Sequence, residues 1–195
     1  ESLTDLAISD NVLYATRSDT ATTSSSIVER VLGGAGAATV RILAALPTDF
    51  KVGMLNDTIT LAVATSSGVD YSNGPNDTTW SRNTTPMRFL AFSEGNLFGV
   101  NSSGQFFVTP NLGSSWTELT KATITSSDIT ALIAAPQADN RETGYLSSRY
   151  GLDAYDKENE RFVSTPLRFS YSSVGGDPVI EWRGAVYWAS GQQIY

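Results

Sequence analysis

The chain contains no cysteine and no histidine, and only two methionines in 195 residues. Without cysteine there is no disulfide framework, no thiol nucleophile and no zinc-thiolate site. Without histidine there is no His-dependent triad, no His-ligated metal and no His proton shuttle. Basic charge is scarce as well: 13 Lys and Arg stand against 20 Asp and Glu, a formal net charge of -7. A protein that tracks a phosphate backbone needs clustered cations to displace counterions, so nucleic acid is not an expected partner. The one loose basic cluster is Arg141, Arg149, Lys157 and Arg161. It is interleaved with Asp139, Glu142, Asp153, Asp156, Glu158 and Glu160, the pattern of a solvated mixed-charge surface.

Long apolar runs are missing too. A membrane-spanning helix needs about 20 apolar residues, and the longest runs here, such as Ile59 to Thr65, suit a single strand. Membrane insertion is not expected. The chain opens on Glu1 without an initiator Met or a signal-peptide pattern, which suggests a processed protein or a segment of a longer one. The absence of cysteine and the abundance of Ser and Thr suit an extracellular or particle-borne protein, such as a virion component.

What is present is β-structure. Apolar residues come in short runs rich in Val, Ile, Tyr and Phe, closed by Gly, Asn, Asp or Ser. The runs predict strands at Leu3–Ile8, Val12–Thr16, Ile27–Val31, Thr39–Ala44, Ile59–Thr65, Phe89–Phe92, Leu97–Val100, Phe106–Thr109, Ile129–Ala134, Tyr145–Ser147, Leu152–Tyr155, Val179–Trp182, Val186–Ala189 and Gln193–Tyr195. Helix is limited to one turn at most, around Ser127–Thr130.

One unit recurs: an apolar strand, a short turn, a second strand, a small-residue turn ending in Gly, then a third strand. Ile59–Thr65, Ser66-Ser67-Gly68 and Val69–Ser72 form one copy, and Asn96–Val100, Asn101–Gly104 and Gln105–Thr109 the next. Further copies carry Gly151 and Gly191, and a more divergent first copy begins at Asn11. The glycines lie 36, 47 and 40 residues apart. A period of about 40 residues with several short strands per unit is the spacing of propeller blades. The expected fold is therefore an all-β propeller of short four-stranded antiparallel blades, about four blades and an incomplete fifth. The blades fall approximately at 1–50, 51–86, 87–125 and 126–175, with a partial one at 176–195. A β-sandwich is the competing reading, but it gives no reason for the unit to return at this period.

Two copies continue into a turn that ends in Trp. One is Thr109-Pro110-Asn111-Leu112-Gly113-Ser114-Ser115-Trp116; the other, one residue longer, is Ser72-Asn73-Gly74-Pro75-Asn76-Asp77-Thr78-Thr79-Trp80. An Asx side chain can bond the backbone of a tight turn, Gly takes the left-handed position, and Trp buries a large apolar surface between sheets. Over roughly Ile59 to Phe162 the chain resembles the Asp-box (BNR) repeat propellers, whose members include sialidases, xyloglucanases, sortilin-type receptor domains and photosystem assembly factors. The resemblance implies that Thr109, Asn111, Gly113, Ser115, Trp116, Ser72, Asp77, Thr79 and Trp80 are structural turn residues between the third and fourth strands of a blade. Asn111 stands where the pattern favours Asp, Pro75 interrupts the other copy, and Phe162 takes the Trp place in the next unit.

No catalytic constellation, metal site or cofactor site is assigned. Asp70, Glu94, Asp128, Glu181, Arg88, Arg168 and Tyr171 have types suited to glycosidase or sialidase chemistry, yet no spacing ties them together. The acidic run Asp153 to Glu160 lacks EF-hand spacing and suits a β-turn. The run Gly33 to Ala38 lacks the Lys-Ser/Thr of a phosphate loop. Asn56, Asn76, Asn83 and Asn101 head glycosylation sequons, meaningful in a secreted eukaryotic protein. Trp182, Tyr187, Trp188 and Tyr195 suit an inter-blade core or a stacking platform. The leading expectation is a non-enzymatic binding or assembly module whose partners are proteins or the remainder of a larger propeller. The alternative is a glycan-active or glycan-binding propeller.

Overall fold

A computed structural model describes residues 2–9, 12–19, 24–31, 38–55, 57–73, 79–93, 95–111, 115–119, 129–136, 142–148, 151–156, 158–159, 161–168, 179–182, 185–190 and 193–194. These residues form strands joined by turns, with no helix among them. The first sheet holds β1 (Ser2–Ser9), β2 (Val12–Asp19), β3 (Ser24–Val31) and β4 (Ala38–Leu43). The second holds β5 (Pro47–Leu55), β6 (Thr58–Thr65), β7 (Gly68–Ser72) and β8 (Trp80–Asn83). In the third are β9 (Phe89–Ser93), β10 (Asn96–Val100), β11 (Phe106–Thr109) and β12 (Thr117–Glu118). The fourth is made of β13 (Ile129–Pro136), β14 (Glu142–Ser148), β15 (Gly151–Asp156) and β16 (Arg161–Arg168). A last, three-stranded sheet comprises β17 (Val179–Trp182), β18 (Ala185–Ser190) and β19 (Gln193–Ile194). In every sheet the strands pair antiparallel in chain order.

The sheets stack as blades. Their first strands pack in succession, β1 on β5, β5 on β9, β9 on β13 and β13 on β17. Among the described residues, three apolar clusters fill the first three boundaries. Tyr14 and Leu43 of the first sheet meet Phe50, Leu61 and Val63 of the second. Ala62, Ala64 and Val69 of the second meet Leu90 and Leu97 of the third, together with Met87. Ala91, Phe98, Val100 and Phe106 of the third meet Ile129 and Leu132 of the fourth. A sandwich has one core between two sheets; here a single strand feeds two cores. Along β6, Leu61 and Val63 point into one cluster while Ala62 and Ala64 point into the next. Alternate side chains leave opposite faces of a strand, so a strand with both faces covered is a continuous apolar run, as Ile59–Thr65 is. The fold is all-β, with four-stranded blade-like units.

Two marker glycines sit where the backbone demands them. Gly68 has φ 138°, and a Cβ there would lie 2.1 Å from the Asn83 carbonyl oxygen; Gly104 has φ 79°. These conformations are open to Gly and costly to other residues.

The structure adds and corrects elements. β5, β8, β12 and β16 have no counterpart among the strands expected from apolar runs or from the recurring unit. Residues 47–50 belong to β5, so the second sheet starts earlier than the break expected after residue 50. The helical turn expected around Ser127–Thr130 is corrected in part: Ile129 and Thr130 open β13, while 127–128 lie outside the described residues. Both strands of the first hairpin reach beyond the apolar runs, β2 on to Asp19 and β3 back to Ser24. The run 33–37 also lies outside the described residues.

Candidate functional site

The Trp-ending turns lie between the third and fourth strands of their sheets. In the third sheet, Thr109 closes β11 and Trp116 immediately precedes β12. The Thr109 hydroxyl, fully buried, donates to Asn111 Oδ1 at 2.9 Å, and the Asn111 N–H returns to Thr109 Oγ1 at 3.4 Å. Asn111 and Ser115 are exposed; Gly113 lies outside the described residues. In the second sheet, Ser72 is buried at the end of β7, Thr79 is exposed and Trp80 opens β8; Asp77 lies outside the described residues.

The two tryptophans do the same job one blade apart. Trp80 packs on the cluster between the first and second sheets, and Trp116 on the cluster between the second and third. Each therefore reaches from the outer part of its own sheet into the boundary with the preceding one. Each indole Nε1 is buried without a hydrogen-bond partner. In the fourth sheet Phe162 of β16 takes this place. It packs on the cluster shared with the third sheet and meets the Phe106 ring edge-on, with centroids 4.8 Å apart.

The inner strands carry a second polar link. The β5 register shifts between Pro47 and Asp49, a local bulge. There the Thr48 hydroxyl donates to the Met87 carbonyl at 3.1 Å, and the Asp49 carboxylate accepts the Leu90 N–H of β9 at 2.6 Å. Asp49 Oδ1 also accepts the Phe50 N–H at 2.9 Å and pairs with Lys51 Nζ. Sequence reasoning missed this clamp, since a Thr-Asp pair in a polar stretch carries no motif.

Of the residues nominated for chemistry, Asp70 is the best defined. It is 1% exposed, and Arg82, its cross-strand neighbour on β8, holds it in a two-bond fork. Arg82 Nε donates to Oδ1 at 2.8 Å and Nη2 to Oδ2 at 2.6 Å. Those hydrogen bonds raise the Arg82 pKa above the ordinary guanidinium value, against the desolvation that lowers it, and the Asp70 charge adds to the rise. Arg41 of β4 approaches Asp70 at 4.0 Å and lies over the Trp80 ring, 5.8 Å from its centroid. Arg88 lies over its neighbour Phe89, 4.9 Å from the ring centroid. Glu181 is on β17 of the last sheet and Arg168 ends β16; Glu94, Asp128 and Tyr171 lie outside the described residues. Among the described residues, the structure thus pairs Asp70 with arginines.

The acidic run around residue 156 forms a turn between β15 and β16. Asp156 accepts the Asn159 side-chain amide at 2.8 Å, the Asn159 N–H at 3.2 Å and the Glu158 N–H at 3.1 Å. Asn101 braces its own turn in a similar way. Its Oδ1 accepts the Ser103 and Gln105 N–H groups, each at 2.9 Å, and its Nδ2 donates to Gln105 at 2.8 Å. Asn83 Oδ1 accepts the Thr85 N–H at 2.8 Å, while Asn56 and Asn76 lie outside the described residues. Among the described residues no group of three or more carboxylates could hold a metal ion. Among them, too, no helix is long and apolar enough to cross a membrane. Tyr187, on β18, is half-buried, and Tyr195 lies outside the described residues.

No family model matches the chain, and no curated protein sequence does. Solved structures do share its fold. The extracellular domain of BT4673 from B. thetaiotaomicron, named as a hybrid two-component system, has a TM-score of 0.64 at 14% identity, over 98% of this chain and 27% of that one. YCF48 from Cyanidioschyzon merolae has a TM-score of 0.56 at 14% identity, over 95% of this chain and 63% of that one. AFV00434, an ancestral GH74 enzyme, has a TM-score of 0.59 at 16% identity, over 84% of this chain and 24% of that one. The chain spans less than two thirds of the length of each. Identities this low carry the fold and no more, and the same architecture serves an extracellular domain and an enzyme.

Proposed function

We propose that the chain is a binding or assembly module without catalytic activity, a propeller or a segment of a larger one, in an extracellular or virion-type structure. Its Asp-box-like turns are staples between blades, and its partners are proteins or further blades of the same ring. No cofactor enters this reading. The observation that carries it is the succession of outer-strand aromatics, Trp80, Trp116 and Phe162, each packed on the boundary with the preceding sheet. These aromatics, the most distinctive element of the repeat, are engaged in blade stacking. Support for a protein partner comes from YCF48, which has been solved bound to D1 peptide.

The test uses the intact source material and the purified chain together. Co-purification in a defined larger assembly, with no retention on a glycan array and no release of reducing sugar from polysaccharides, is the expected result. The fold shared with the ancestral GH74 enzyme favours a second reading, a glycan-active or glycan-binding propeller. Saturable glycan binding or hydrolysis by the chain, absent any assembly, would replace the first reading with the second.

A further inference from the structure

Two arginines from neighbouring sheets converge on one carboxylate. Arg82 spends Nε and Nη2 on Asp70, so both Asp70 oxygens already have strong charged donors. Arg41 stands 4.0 Å away, beyond hydrogen-bond distance, and its buried Nε has no acceptor. Two guanidinium groups against one carboxylate leave one positive charge in excess, on a chain whose net charge is -7. The side chains are 35% and 31% exposed for Arg41 and Arg82, whereas Asp70 is 1% exposed. The negative partner is therefore sealed in while the cations reach solvent. Their positions are also set in advance: Arg82 by its fork, Arg41 by the Trp80 face beneath it. A guanidinium is planar and matches a carboxylate with parallel N–H bonds.

The strands that present this pair add a second feature. β4 and β8 are the outer strands of their sheets, and no further strand is paired to either among the described residues. An outer strand offers backbone donors and acceptors to an added extended segment. From this the geometry points to Arg41 and Arg82 as the docking point for an acidic, extended peptide segment of a partner protein, one of whose Asp or Glu carboxylates sits between the two guanidinium groups. The inference rests on the binding-module reading and names the chemistry of the partner.

The experiment titrates isotope-labelled full chain with an acidic heptapeptide of alternating glutamates and threonines. Its glutamine counterpart and glucuronate are run in parallel. The expected result is a saturable shift of the Arg41 and Arg82 Nε–H and Trp80 indole resonances with the acidic peptide alone, weakening as salt is raised. Arg41→Gln, which leaves the Asp70–Arg82 fork in place, should lower the affinity at least tenfold while the melting temperature changes little. Equal affinity in Arg41→Gln, or equal binding of the glutamine peptide, overturns the inference and leaves the module reading standing. Glucuronate binding as well as the acidic peptide also overturns it, and shifts the weight to the glycan reading.

Discussion

The carboxylate of Asp49, on the first strand of one blade, accepts the backbone N–H of Leu90, on the first strand of the next, at 2.6 Å. Asp49 is 7% exposed and Leu90 is fully buried, so this bond crosses the blade boundary out of water. A buried donor left without a partner costs about 1–3 kcal/mol. Asp49→Ala is therefore expected to destabilise the chain by that order in urea unfolding. Asp49→Asn keeps an acceptor for Leu90 and loses only the charge that faces Lys51, so its cost should be smaller. Equal losses in the two variants would show that the charge, and not the link to Leu90, is what matters.

At Gly53 the same two blades approach closely. A Cβ built on it would lie 2.3 Å from Phe92 Cγ. No real carbon can stand that close, and Phe92 Cβ lies only 2.5 Å away, so Gly53→Ala must displace the whole Phe92 side chain or its strand; overpacking of this kind costs about 1–3 kcal/mol. Phe92→Gly removes the three atoms that stand in the way, Cβ, Cγ and Cδ2, and is expected to relieve part of that clash. A double-mutant cycle reads the coupling directly. Purely additive costs would mean that the backbone moves away and that the ring does not limit the contact.

The same residues explain how much of the fold is legible in the sequence. β6 is visible because both of its faces are buried, which writes Leu61, Ala62, Val63 and Ala64 as one apolar run. β5 is not, because Pro47, Asp49, Lys51 and Gly53 interrupt the pattern, and the reasons for Asp49 and Gly53 lie in the neighbouring blade. β16 hides in the same way behind Ser164, Thr165 and Pro166. Packing places Trp80, Trp116 and Phe162 at their boundaries; that Trp80 and Trp116 end their turns is legible in the sequence motif. The Asp70–Arg82 fork does not follow from it. That fork depends on the β7–β8 register, and Arg41 arrives from another sheet.

Trp116 separates the apolar and polar parts of the turn. Its indole packs on the cluster around Leu90 and Leu97, yet its buried Nε1 has no partner. Removing a fully buried Trp ring costs about 3–5 kcal/mol; Trp116 is half-buried, so Trp116→Ala should fall below that range. Trp116→Phe keeps most of the packing and removes an unpaired donor, so it should cost far less. Thermal unfolding of both variants distinguishes the two roles. A Phe variant as unstable as the Ala variant would point to a hydrogen bond that the indole makes in solution.

Asp156 gives a pH-dependent signature in the fourth sheet. The Asn159 side-chain amide, then its backbone N–H, hold the Asp156 carboxyl below the ordinary aspartate value, with Glu158 N–H and the Arg161 charge acting the same way. A folded-state pKa below the unfolded one makes the charged form favour folding. The contribution is then complete above the unfolded aspartate value and disappears as pH falls through the lower, folded value. Carboxyl NMR titration should find Asp156 titrating on the acid side of ordinary aspartates. Asn159→Ala removes the largest cause and should move that midpoint upward, toward the ordinary value. A midpoint unmoved by Asn159→Ala would assign the depression to the backbone of the turn and to Arg161.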